Sequence, residues 1–462
     1  MPANESTTEA RRRRSTLWVV ALSTAALVFD GYDLVVYGTI VPTLLGDPSQ
    51  LGPMSPAQAG TLGSYALIGV LVGALVAGAV GDRIGRRRIM LVNLAWFSIG
   101  MAATALAPTV GTFALFRFLT GIGVGALVAT VGALVAEFAP PERRNRLNAV
   151  VYSGIPAGGV LASLLALTAG DAVGWRGLLW IGALPLVTLL PLALVRLPES
   201  PRWLASRGRL AEAAAVAART GVTLEVAPVL GAAAPGAVAT APVRFGFAAL
   251  VRRPLVWPTA LLGTMSFAGL LLTYGLNTWL PQIMTDNGYG KSSSLAFLLV
   301  LNLGAISGGL LASWFADRMG AKRVIAVTFV LAAISLALLP AQLPLAVLLL
   351  GVAVAGVGTI GTQVLVYGLV ANYYPTRARA AGVAWCAGFG RLGGIVGPVL
   401  GGVLVGAGLG GTTAFFLFAG IALLGALVTG LVPRARQRDV EPVPAPVVGT
   451  PAAAMVGATV TT

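Results

Sequence analysis

The stretch Gly81–Leu91, GDRIGRRRIML, is a charged island between two long apolar runs, and it occurs twice in the chain. Its second copy is Ala316–Ala326, ADRMGAKRVIA, with Asp317 standing for Asp82 and Gly320 for Gly85 at an offset of 235 residues. A further pair, PERRNR from Pro141 and PTRARA from Pro375, repeats at an offset of 234. Two matches at nearly one spacing predict a duplicated unit of about half the chain.

What surrounds these islands fixes the solvent of the fold. Of 462 residues, 57% are hydrophobic and only 10% charged, and the mean hydropathy is +0.87. Apolar runs repeatedly exceed the roughly 20 residues that carry a helix across a bilayer. Alternating segments of the kind that build a membrane barrel are absent from the sequence. The 60 glycines suit closely packed membrane helices. Cys386 is the only cysteine, so no internal disulfide forms, and there is no histidine at all. Carboxylates are therefore the groups available to move protons near neutral pH.

Reading the apolar runs between charge clusters predicts twelve spans, near 17–45, 56–80, 88–107, 111–136, 147–170, 176–195, 254–283, 292–316, 323–341, 343–371, 379–406 and 411–433. The fold expected is all-α, two six-helix halves related by pseudosymmetry. Residues 1–16 form an N-terminal tail, 17–195 the first bundle, 196–253 a central loop, 254–433 the second bundle and 434–462 a disordered tail. Within the central loop, EAAAVAARTGV reads as helical and APVLGAAAPGAVATAP as linker. Of the 31 Lys and Arg, 27 fall on the face shared by both tails, against Arg176 and Lys291 on the other. That asymmetry predicts cytoplasmic termini in a multi-pass protein of the cell membrane. It also accounts for the net charge of +15 as a topology signal spread over short loops, which excludes a nucleic-acid partner.

The arrangement Gly-x-x-x-Asp-Arg-x-Gly-Arg-Arg, present as GAVGDRIGRRR from Gly78, resembles the loop signature of the major facilitator superfamily. The degenerate copy at 317–323 falls where that family has one. The resemblance covers all the predicted spans and implies two halves that rock about a central site. Asp82, Arg83, Gly85, Arg86, Glu137 and Asp317 are then expected to gate that motion, pairing with helix ends in one state and releasing them in the other. The plain alternative is that the arginines only set topology. That signal, however, needs neither an aspartate nor a glycine at fixed spacing.

Four charges stand inside spans: Asp30, Asp33, Arg117 and Arg391. Each would cost about 2.5–3.5 kcal/mol at mid-membrane unless it faces a cavity or a partner. Asp30 and Asp33, in FDGYDLVVYG, share a helix face, and Tyr37 continues it. Two such carboxylates cannot easily both ionise, so one is expected to bind a proton reversibly. The plain reading is a pair locked to arginines for packing. Arg391, in GFGRLGGIVGPVLGG, offers a two-pronged guanidinium to an organic carboxylate among small residues. Arg117 can pair with Asp30 or Asp33, or attract an anion. None of the four has a charged counterpart in the other half, so they read as function added to a symmetric frame. Tyr274 and Asn277 share a face in LLTYGLNTWLPQIM, and Trp385, Tyr152, Asn302, Gln363 and Tyr367 are lesser candidates.

A buried arginine with aromatic rings suits a small aromatic anion better than a sugar. Taken together, DGYDLVVYG, Arg117, GRLGGIVGP and YGLNTWLP resemble the aromatic acid:proton symporter family, with the first span most similar to benzoate transporters. That resemblance implies uptake of benzoate or a hydroxybenzoate, with Asp30 and Asp33 coupling the proton. It implies substrate contact from Arg391, Tyr37, Arg117, Tyr274, Asn277 and Trp385. The partners expected are the aromatic carboxylate, a proton and the lipid bilayer, for a monomer driven by the proton gradient with no cofactor or metal. The alternatives are a sugar or other metabolite symporter, or a drug exporter, on the same fold; PESPRWL at 198–204 also occurs in sugar and organic-cation porters. A receptor would need a soluble domain, and no nucleophile–base set or phosphate loop points to an enzyme.

Overall fold

Caps and breakers set the helix boundaries. Ser55 and Thr109 each accept a hydrogen bond from the backbone three residues on, while Gln58 and Thr112 return one, closing reciprocal capping boxes worth about 1 kcal/mol apiece. Gly85 and Gly320, with φ of 100° and 88°, make the sharp joints after Ile84 and Met319. A side chain other than glycine is strained at such φ, which is why both copies of the repeated island keep the residue.

The computed structural model describes residues 2–222 and 247–433 except 252, 342 and 410. Among them no strand occurs. The first half holds α1 (Pro2–Gly46), α2 (Pro56–Ile84), α3 (Arg86–Ala105), α4 (Val110–Phe138), α5 (Arg144–Tyr152), α6 (Gly154–Ala183) and α7 (Leu189–Arg196). Two short helices follow, α8 (Pro201–Ser206) and α9 (Leu210–Thr220). The second half holds α10 (Val256–Asp286), α11 (Lys291–Met319), α12 (Ala321–Leu338), α13 (Leu345–Gly356), α14 (Thr362–Tyr373), α15 (Thr376–Gly406) and α16 (Thr412–Leu431). A π-helical turn, Val357–Gly361, joins α13 to α14.

Eleven helical stretches of the described residues are long and apolar enough to cross a membrane. One of them, Arg146–Arg196, runs for 51 residues, far more than one crossing needs. The helix breaks at Gly174, where φ is 66°. The Tyr32 hydroxyl donates to the Leu178 carbonyl, and Tyr32 also abuts Gly158. A straight helix would separate Gly158 from Leu178 by about 30 Å. The chain therefore folds back at Gly174, and α6 is two antiparallel segments.

The duplication seen in sequence is also a duplication of packing. In the first half α1 lies on α6 and α2 on α4; in the second α10 lies on α15 and α11 on α13 and the π turn. Pro140 and Pro375, with similar extended backbones ahead of their helices, correspond at an offset of 235, so the second repeat shares the spacing of the first. Glycine permits the closest crossings: a Cβ on Gly31 would lie 1.8 Å from the Ile155 carbonyl oxygen. The glycine inside the DGYD motif thus lets α1 press on α6.

One expectation changes here. The N-terminal tail is not separate from the first span, since α1 is continuous from Pro2; no breaker interrupts Arg11–Trp18, and Arg11 reaches the Ala218 carbonyl of α9. The helical reading of EAAAVAARTGV holds as α9. The linker and the tail from 434 lie outside the described residues, as do the side chains of 78–82 and so that of Asp82.

Residues 11–16, 83–88, 137–146 and 194–222 gather at one end of the bundle, called here the terminal end. Hydrogen bonds, ion pairs and glycine contacts between the halves, among the described residues, lie toward the opposite, distal end. There Ser64 bonds to the Ile395 carbonyl, Lys291 pairs with Asp171, and a Cβ on Gly38 would stand 1.9 Å from the Asn277 carbonyl oxygen.

Candidate functional site

Midway along α1, Asp30 and Asp33 are each 1% exposed, yet their surroundings differ. Asp33 Oδ1 accepts from Arg117 Nη1 of α4 in a buried ion pair. The Arg117 guanidinium also lies 5.1 Å from the centroid of the Tyr37 ring. Tyr37 in turn donates its hydroxyl to the Ala59 carbonyl at 2.6 Å, while Asp33 Oδ2 and Arg117 Nε are buried without a hydrogen-bond partner among the described residues. Among the described residues Asp30 has no salt bridge, and its Oδ1 has no hydrogen-bond partner.

Across the interface stands Arg391 of α15. It is partly buried, and among the described residues no protein group forms an ion pair or hydrogen bond with it. Asp30 lies within Coulombic reach of Arg391, and both lie within reach of Tyr152 and Tyr274. Tyr367 of α14 interacts with the same two tyrosines. An unpaired guanidinium, an incompletely bonded carboxyl and three phenols thus surround one space between the halves.

Elsewhere on α15 an aromatic group packs against α10. Trp385 and Phe389 of α15 stack at 5.2 Å between centroids, with Phe267 of α10 5.7 Å beyond Phe389. Trp385 is fixed by its indole N–H, which donates to the Thr259 carbonyl at 3.0 Å.

Of the six residues expected to touch substrate, Arg391, Tyr274 and Trp385 are partly buried in these surroundings. Arg117, Tyr37 and Asn277 are 2%, 1% and 4% exposed, and each is engaged by protein groups. Asn277 accepts from Asn302 Nδ2 at 3.0 Å and donates to the Thr273 carbonyl at 2.7 Å, while its own carbonyl faces Gly38 across the interface. It is a contact between halves.

The residues expected to gate split in the same way. Arg86 Nε lies 3.5 Å from Glu137 Oε1, joining α3 to α4 at the terminal end, with Gly85 as the joint before it. Arg83 and Asp317 are exposed. PESPRWL, which by sequence gave no site residue, supplies one contact: Glu199 Oε1 accepts from the Arg87 backbone N–H at 3.0 Å, at the start of α3. The Arg87 side chain donates to the carbonyls of Leu197 and Leu194 at 2.7 and 2.6 Å. The signal was present: a carboxylate followed by a Ser-Pro helix start suits a helix N-terminus. At the distal rim, hydrogen bonds from Gln50 and Ser49 hold Asp47 below the usual carboxylate range.

Comparison with known proteins places this geometry. A family model described as Major Facilitator Superfamily matches residues 23–312 and 298–459. The chain is 34% identical to a gentisate transporter of Corynebacterium glutamicum over 414 residues, covering 89% of this chain and 86% of that one. It is 33% identical to a benzoate transport protein of Acinetobacter baylyi, covering 92% and 91%. Among solved structures, the inward-open xylose transporter XylE of E. coli superposes with a TM-score of 0.73 at 19% identity, covering 92% of this chain and 98% of that one.

Proposed function

The chain belongs to the Major Facilitator Superfamily, in the branch that holds its aromatic-acid transporters, and on that premise we propose that it imports a small aromatic carboxylate together with a proton. The observation that carries this reading is the contrast between Arg391, which no protein group pairs, and Arg117, which Asp33 neutralises. A guanidinium without a protein counter-charge calls for an anion, and the aromatic-acid transporters among the chain's relatives point to an aromatic one. Asp30, facing Arg391 with an unbonded oxygen, is the group that takes up the coupled proton.

In the cycle proposed, the substrate carboxylate becomes the counter-charge of Arg391, and Asp30 is then neutral by protonation. Both arrive from the distal side and leave toward the terminal side by alternating access. Counting the two segments of α6 as separate crossings gives twelve, with both termini cytoplasmic in the cell membrane. The distal contacts between the halves then belong to the state that opens to the cytoplasm.

Proteoliposomes with an acidic exterior and a labelled aromatic acid test the proposal. Accumulation above the external concentration that collapses with an uncoupler is expected. Uptake indifferent to the uncoupler would remove the proton from the mechanism.

A further inference from the structure

Resting on that transporter reading, we propose that Tyr274 and Tyr367 read a ring hydroxyl of the substrate, so that the chain selects hydroxylated benzoates over benzoate itself. Neither phenol forms a hydrogen bond with a protein group among the described residues, although both are partly buried. Tyr32, Tyr37 and Tyr374, by contrast, each donate to a protein oxygen, at 2.7, 2.6 and 2.9 Å. Tyr289 and Tyr373, packed edge-on to Phe297 and Tyr374, also lack a hydroxyl partner among the described residues, so what sets Tyr274 apart is its place beside Arg391 and Asp30, with Tyr367 next to it.

Their placement is defined. The Tyr274 ring lies against Gly394, where a Cβ would stand 2.7 Å from its Cδ2. Gly394 is three residues beyond Arg391 and so lies one turn along the same face of α15. On the other side, Tyr367 follows Gln363 by one turn of α14, and Gln363 Nε2 donates to Ser266 Oγ at 3.0 Å. Ser266 in turn abuts Gly390, the neighbour of Arg391, where a Cβ would lie 2.3 Å from its hydroxyl. The π turn at Val357–Gly361 immediately precedes this segment and resets the face on which Gln363 and Tyr367 emerge.

A carboxylate held on Arg391 sets the scale. In a hydroxybenzoate the carboxyl carbon and a ring oxygen at the far side are about one helical pitch apart, roughly 5–6 Å. Tyr274, whose ring lies on the glycine one turn from Arg391, is the phenol we assign to accept from or donate to that oxygen. Benzoate offers the same carboxylate and ring face but no polar atom at that distance. It would seal two phenols into an apolar cavity without partners, and sites built to bond a hydroxyl discriminate against ligands that lack one. Gln363 is a positioning residue here: tying α14 to α10, it sets where the Tyr367 hydroxyl falls.

The test is a competition panel in proteoliposomes, with benzoate, the three monohydroxybenzoates and gentisate against one labelled substrate, for wild type, Tyr274→Phe, Tyr367→Phe and the double variant. Wild type is expected to show half-saturation for its best hydroxylated acid about tenfold or more below that for benzoate. The double variant is expected to bring that ratio within about twofold. A measurable benzoate half-saturation in the variant shows that it is folded, so the ratio is read on competent protein. Gln363→Leu should shrink the ratio by raising half-saturation for the hydroxylated acid, and Gln363→Glu should restore part of it. A wild-type ratio near one, or a ratio that survives in the double variant, overturns hydroxyl reading while leaving aromatic-acid transport standing. Failure of wild type to take up any aromatic acid overturns the transport reading itself and this inference with it.

Discussion

Asp33 and Arg117 form an ion pair at 1% and 2% exposure, joining α1 to α4 within the first half. A pair so enclosed is not free to exchange partners with a substrate. It leaves Asp30, three residues earlier, as the carboxyl that faces the other half and Arg391. On the function proposed, the two aspartates of one motif divide into a structural charge and a working one.

The first prediction follows from that division. Removing one member of a buried pair strands the other, at about 3–5 kcal/mol, whereas replacing both by apolar residues of similar volume is close to neutral. Asp33→Leu and Arg117→Met alone should each lower the thermal unfolding midpoint in detergent by several degrees. The double variant should regain most of that loss. Additive losses would show that the pair is not the unit described.

Asp30 gives the opposite signature. Asp30→Asn should leave the unfolding midpoint within a few degrees of wild type, because the lone carboxyl has no salt bridge to lose. Accumulation against a gradient should stop, while exchange of labelled for unlabelled substrate across the membrane continues. With Asp30 intact, uptake should rise as external pH falls, because proton loading then accompanies each inward step; Asp30→Asn should be nearly flat over the same range. Uphill accumulation by this variant would assign the proton elsewhere.

These roles were only partly legible in the sequence. Charge within an apolar run marked Asp30, Asp33, Arg117 and Arg391, because such groups are costly in lipid wherever they stand. The repeated island gave the duplication, since Gly85 and Gly320 both meet a backbone demand local to the chain. Which charge pairs with which is a tertiary fact, and no spacing encodes it. Asn277 illustrates the point, as its helix face suited a ligand equally well as the Asn302 amide it meets. Glu199 illustrates it again, because the helix start it serves lies more than a hundred residues earlier.

Glu199 supports a third prediction. Its carboxylate accepts from the Arg87 backbone N–H at the start of α3, where a negative charge is worth about 0.3–1 kcal/mol. Glu199→Gln should therefore alter stability by about that amount or less. Glu199→Lys should destabilise more, by placing a cation at the same helix end beside Arg86 and Arg87. A limited-proteolysis time course at the α2–α3 joint reads both, and equal protection of the two variants would detach Glu199 from this role.

The last prediction concerns closure at the distal end. Gly38 of α1 meets the Asn277 carbonyl of α10 so closely that an added Cβ would stand 1.9 Å from the oxygen, well inside contact distance. Backbone lies on both sides of that contact, and neither can yield as a flexible side chain would. Gly38→Ala should thus oppose the closed distal arrangement while leaving each half intact. A cysteine placed at Thr43, in a Cys386→Ala background, should become more reactive toward a membrane-impermeant thiol reagent added from the distal side. Substrate exchange should slow in parallel, because every cycle passes through the closed form. Subsequent replacement of Lys291 by Ala, which removes the exposed pair with Asp171, should add little, since such pairs are worth about 0–1 kcal/mol. If Lys291→Ala opened the distal end as far as Gly38→Ala does, the exposed pair would be holding the halves together there, and the backbone contact of α1 with α10 would not.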